Sequence, residues 1–236
     1  MRKLIKNEYI KLGYVKLLFP FLLFTIVFII QNIVNKQINI NLPLFLIPLI
    51  SIIISMIFSG IFSNEITDGT FRLYLTKGIS RKKVYFSKLL SLMIYSFVLS
   101  TYILLLYIIF LNDITFKFIL RYYMYTMPIY FVGTLTMLLS ISIKNTPINL
   151  GICVSFMIFS GAISEFLFKN KILFIQYLFL PYLDFTIFLD KGSLKLVNKE
   201  FGTNLNIIYA VFILIAFCIL FIILGYFIFN KKDIKS

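Results

Sequence analysis

Six runs of about 20 residues, Val15–Val34, Leu42–Phe62, Leu89–Leu111, Tyr122–Ile143, Ile148–Phe168 and Ile207–Phe229, carry no Asp, Glu, Lys or Arg in their middle stretches. At a helical rise of about 1.5 Å per residue, each reaches about 30 Å, the thickness of a bilayer's hydrocarbon core. Backbone in hydrocarbon must satisfy its own hydrogen bonds, which leaves helices as the spanning form. The expectation is an all-α integral membrane protein with six transmembrane helices. With no internal repeat, no Gly/Ser linker and no soluble domain, residues 1–236 read as a single membrane domain.

Composition agrees: 61% of residues are hydrophobic and the mean hydropathy is +0.98. The net charge of +14 does not point to nucleic acid, because Lys and Arg in such a chain mark the inner side and the anionic lipid there. Histidine is absent, which removes His-based metal sites, general bases and proton relays together. Cys153 and Cys218 sit inside apolar runs with no CxxC pairing and read as packing residues. The charged opening residues and the lack of a small-residue cleavage site argue against a cleaved signal peptide.

Orientation follows from the basic residues. With the N-terminus inside, the inner segments hold 15 Lys and Arg against 8 outside, and most of the 8 lie in one long loop. Both termini are therefore expected in the cytoplasm. Tyr14, Tyr122, Tyr123 and Tyr226 are expected in the interfacial belt. The apolar stretch Ile172–Leu189 is interrupted by Pro181 and Asp184. A seventh crossing there would put the basic tail outside, so a re-entrant hairpin before the last span is expected, within an outer cap of residues 169–206.

Residues 1–14 read as an interfacial elbow helix. Ile5, Tyr9 and Leu12 recur at helical spacing opposite Arg2, Lys3, Lys6 and Lys11, and Gly13 can bend the chain into the first span. Residues 63–88 form the longest polar interruption of the first half. Gly69 can end the extension of the second span, and Asp68 or Thr70 can cap a short helix after it. That helix presents Phe71, Tyr74 and Leu75 on one face. Gly78 supplies a left-handed turn, Ser80 caps the next helix, and Ile79 and Val84 occupy hydrophobic-staple positions. Arg81, Lys82 and Lys83 then fill a first helical turn, where the macrodipole disfavours cations. Charge so placed is expected to serve something outside that helix, either lipid phosphates or an acidic partner surface.

The run from Glu65 to Lys88 resembles the loop between the second and third spans of type-2 permeases of ATP-binding-cassette exporters. The matching positions are Glu65, Asp68, Gly69, Thr70, Arg72, Leu75, Thr76, Gly78, Ile79, Ser80, Arg81 and Lys88. Gly78 stands where many members carry Pro. The elbow, the six spans and the cap before the last span repeat the family's plan. In size and character the chain is similar to small permeases that export, or confer immunity to, peptide antibiotics. The resemblance implies a cytoplasmic coupling segment that docks on a separate ATPase through Glu65, Asp68, Gly69, Thr70, Phe71, Arg72, Tyr74, Leu75, Gly78, Ser80 and Arg81. It implies as partners that ATPase, a second permease in a homo- or heterodimer, and membrane lipid.

The chain has no G-x-x-x-x-G-K-[ST] loop. ATP and Mg are therefore expected in the partner ATPase, with no cofactor and no catalytic or metal site here. No charge lies at mid-span, where ion-coupled carriers usually keep theirs, so an apolar pathway for amphipathic cargo is the better fit. A non-transporting immunity or sensor protein is the alternative. An intramembrane enzyme would need a nucleophile–base pair or metal ligands within the spans. The in-span Ser and Thr read as interhelical glue, helped by close packing at Gly133, Gly151 and Gly161. Richness in Ile, Lys, Asn and Phe points to an AT-rich bacterial genome, and the expected location is the bacterial plasma membrane.

Overall fold

The computed structural model describes residues 2–35, 46–111, 116–170, 172–183, 194, 198–200, 202–203 and 205–232. Among these, every regular element is helical. In chain order they are α1 (Arg2–Leu12), α2 (Tyr14–Asn35), α3 (Ile47–Phe58), α4 (Ser63–Thr67), α5 (Phe71–Thr76) and α6 (Arg81–Leu111). There follow α7 (Phe116–Tyr125), α8 (Met127–Ser142), α9 (Thr146–Lys169), two 3-10 turns (Leu173–Tyr177 and Leu180–Tyr182) and α10 (Ile207–Lys231).

Among the described residues, five helices are long and apolar enough to cross a membrane: Ile47–Thr67, Arg81–Ile109, Phe118–Ser142, Thr146–Lys169 and Ile207–Lys231. The bent pair Lys3–Leu12 and Tyr14–Ile30 makes a sixth if counted as one span. Large apolar side chains point outward from α2, α9 and α10, among them Phe19, Leu22, Phe159, Phe166, Phe212 and Phe227. A surface this oily suits hydrocarbon as its solvent.

The bend of 74° between α1 and α2 falls at Gly13, whose φ of +81° is strained for any residue with a Cβ. Helix α8 lies at the centre, packed against α3 and α10 and also against α6 and α9. Its Gly133 permits close approach to α6: a Cβ there would sit 2.7 Å from Leu92 Cδ2. Gly151 and Gly161 meet no neighbour within 4 Å among the described residues, so the close packing expected of them is not seen there. Tyr122, expected in the interfacial belt, is instead buried and donates to Ser100 O at 2.8 Å.

The helix expected as the second span runs further along the chain than its apolar run suggested, because α4 continues α3 past Phe62. At the break between them the N–H groups of Phe62 and Ser63 have no helical acceptor, and Ser140 Oγ on α8 takes both, at 2.9 and 3.1 Å. Nearby, Asn149 Nδ2 donates to Ser59 O at 2.6 Å. In-span polar groups thus stitch backbone across helices, as bilayer-buried donors require.

After α9 the two 3-10 turns fold back onto the bundle. Phe179 enters an aromatic nest of Phe131, Phe156, Phe217 and Phe221, with its ring centre 4.7 Å from that of Phe131. Pro181, Tyr182 and Leu183 are buried. The rest of the expected hairpin, from Asp184 to Leu189, lies outside the described residues, as do most of the cap, the first outer loop and the tail after Lys232.

Candidate functional site: a charge cluster beneath the polar segment

At one end of the bundle, α1, the 63–88 segment and the C-terminal end of α10 come together. The local chain order explains the segment's shape. Helix α5 ends in a Schellman turn, with Ile79 N–H bonded to Tyr74 O at 3.0 Å across Gly78 at φ +70°. Helix α6 then starts at Arg81, and the Ser80 hydroxyl accepts from Lys83 N–H at 3.4 Å. Gly69, at φ +67°, separates α4 from α5.

Beneath the segment lies a cluster of charges that spacing along the sequence did not reveal. Lys88 is fully buried and is ringed by two buried carboxylates, Glu8 and Glu65. Its Nζ donates to Glu8 Oε2 at 2.8 Å and to Ile61 O at 2.9 Å. It also lies 2.9 Å from Glu65 Oε2. That last contact is Coulombic rather than a directed hydrogen bond, so Oε2 has no donor of its own. Lys11 donates to the other Glu65 oxygen and to the Tyr74 hydroxyl. Tyr74 in turn donates to Glu8 Oε1 at 3.4 Å.

Two ammonium groups and two carboxylates cancel, which makes burial tolerable. Desolvation works against charge on Lys11, but the hydrogen bonds to Glu65 and Tyr74 outweigh it and raise its pKa above the ordinary lysine range. Burial likewise raises the Tyr74 hydroxyl, the lysine beside it opposing the shift. Lys11 therefore stays charged and Tyr74 neutral at physiological pH. Four elements, α1, α4, α5 and α6, are joined at one neutral knot.

A second tie reaches α10. Phe71 is buried with its ring centre 5.0 Å from that of Phe229. Arg81 Nη1 donates to Asn230 O at 2.8 Å, Lys232 O at 2.9 Å and Phe229 O at 3.4 Å. Its awkward place in the first turn of α6 is thereby explained. It caps the negative end of α10. Lys232 reaches back to Ile141 O, and desolvation, then the nearby Lys144, lowers its pKa. Deeper in, Tyr85 donates to Ile222 O at 2.7 Å. A Cβ on Gly225 would meet that hydroxyl at 2.8 Å, so any larger residue there would have to displace it.

Arg81→Gln is expected to destabilise the protein by about 1–2 kcal/mol, the value of a charge at a partly buried helix terminus. Thermal melting reads the loss, and faster tryptic cleavage after Lys231 reads the fraying of α10. An unchanged cleavage rate would show that the clamp is idle.

The other residues expected to dock a partner divide by exposure. Glu65 and Phe71 face inward and Tyr74 is half-buried, while Asp68, Gly78 and Ser80 are exposed. Gly69 and Thr70 lie between these extremes. Arg72 and Leu75 belong to α5, but their side chains lie outside the described residues. Thr76, Lys77, Lys82 and Lys83 complete the exposed edge. Glu8, which sequence reasoning missed, was legible only as the single acid on the otherwise basic α1.

Among the described residues the protein is all-helical, with five to six helices long and apolar enough to span a membrane, and a buried ion cluster closes one end. The chain belongs to the DUF2705 family, described as proteins of unknown function, whose profile matches residues 3–235. No curated protein matches it.

Proposed function

We propose that the chain is the membrane-spanning permease subunit of an ATP-binding-cassette exporter, with ATP hydrolysed by a separate cytoplasmic subunit. The 63–88 segment is its coupling element and lies, with both termini, in the cytoplasm of a bacterial plasma membrane. The cargo class is amphipathic, such as a peptide antibiotic, and a second permease completes the pathway.

One observation carries this reading. The segment has two different sides: an exposed edge with Lys77, Lys82 and Lys83, and an inner side fastened to α1, α6 and α10. A push on the outer edge reaches three membrane elements at once. A loop serving only to hold charges inside the cell would need neither the Schellman turn nor the buried ties.

The exposed edge offers the clean test, since Glu65 is buried and its removal would disturb folding as well as coupling. Tagged protein is expected to retain an ATP-binding-cassette ATPase on purification. Changing Lys77, Lys82 and Lys83 together to Glu is expected to cut that retention about tenfold, through charge mismatch at the docking face, with the melting temperature unchanged. Failure of the unaltered protein to retain any such ATPase defeats the proposal.

A further inference from the structure

Beside the charge cluster opens a cavity of about 400 Å³, walled by Leu12 and Lys16 from the bend between α1 and α2, Met56 of α3, and Asn64, Asp68 and Thr70. Glu8, Lys11 and Glu65 also border it, but their charges are spent on one another and on Lys88. That leaves one ammonium, Lys16, and one carboxylate, Asp68. Both are exposed, and neither has an ion-pair partner among the described residues.

We propose that this cavity seats the head group of a zwitterionic phospholipid bearing a primary ammonium, with that ammonium on Asp68 and the phosphate on Lys16. Charge complementarity selects the occupant. An anionic head group would satisfy Lys16 but leave Asp68 without a cation. A choline head group has the right charges but no N–H to donate, whereas a primary ammonium offers three donors to a carboxylate. The apolar part of the rim suits a lipid rather than a free solute. Leu12 and Met56 line the cavity, and the two helices that supply Lys16 and Met56 also carry the exposed apolar side chains Leu18, Phe19, Leu22 and Leu49, which suit acyl chains. This inference needs the helices to lie in a bilayer and does not depend on any ATPase.

The test uses the purified full chain in detergent, titrated with phosphatidylethanolamine, phosphatidylcholine and phosphatidylglycerol of identical acyl chains and read by native mass spectrometry. Phosphatidylethanolamine is expected to be retained about two- to fivefold over the other two, the scale of one interfacial ion pair. Asp68→Asn should abolish that preference, and Lys16→Gln should reduce retention of phosphatidylethanolamine. Lys169→Gln, far from the cavity, should change neither. Equal retention of the three lipids in the unaltered protein, a preference for phosphatidylglycerol, or a phosphatidylethanolamine preference that survives Asp68→Asn would each overturn the assignment. Because Lys16 and Asp68 are exposed, their replacement leaves the fold intact, and the ranking of lipids on the unaltered protein requires no variant.

Discussion

Replacing Lys88 with methionine is expected to destabilise the protein by about 3–5 kcal/mol, the usual effect of leaving a buried charge without its partner. Two carboxylates, Glu8 and Glu65, would then face each other across the vacated site with only Lys11 to balance them. A loss of this size is a large part of a domain's whole stability, and a sharp fall in detergent-solubilised monodisperse protein should accompany the lower melting temperature. The double variant Lys88→Met with Glu8→Gln restores a neutral knot of Lys11 and Glu65, and it should recover much of the loss. Buried ion pairs are often replaceable by apolar groups without penalty, yet costly when only one partner goes. If Lys88→Met melts like the parent, the cluster does not hold the segment.

The second large effect is expected at Ser140. Its single oxygen receives two buried backbone N–H groups at the break between α3 and α4. Ser140→Ala removes a small group and creates almost no cavity, so a packing account predicts a minor change. A hydrogen-bond account predicts two orphaned donors at about 1–3 kcal/mol each, or about 2–4 kcal/mol in all after local relaxation. Ser142→Ala is the matched control, since Ser142 is exposed and its hydroxyl bonds to Leu138 O in its own helix. It should shift stability by less than about 0.5 kcal/mol. Equal melting of the two variants would mean that the break finds other acceptors.

What the sequence made legible was everything set by neighbours along the chain. Apolar runs foretold the long helices, Gly13 the bend, and Gly78 with Ser80 the turn and cap, because φ preference and capping act over a few residues. The charge cluster was not legible, because its members come from four helices whose packing no local pattern records. Glu8 was passed over as one acid among lysines. Arg81 was half understood: its mismatch with the α6 dipole was visible, but the helix end it neutralises lies some 150 residues away (149 separate it from Asn230). Glu65 and Phe71 were expected to dock a partner and are instead buried. A sequence motif marks residues that belong together without saying which side of the fold they face.

The Glu8–Lys88 contact also sets a timetable for biogenesis. Glu8 is made 80 residues before the lysine that neutralises it, with two apolar helices synthesised in between. Until the third long helix arrives, the N-terminal helix carries a carboxylate that has only Lys11, one turn further along, to offset it and is costly to bury. Its final seat is therefore taken late, and the emergence of Lys88 is what lets it close.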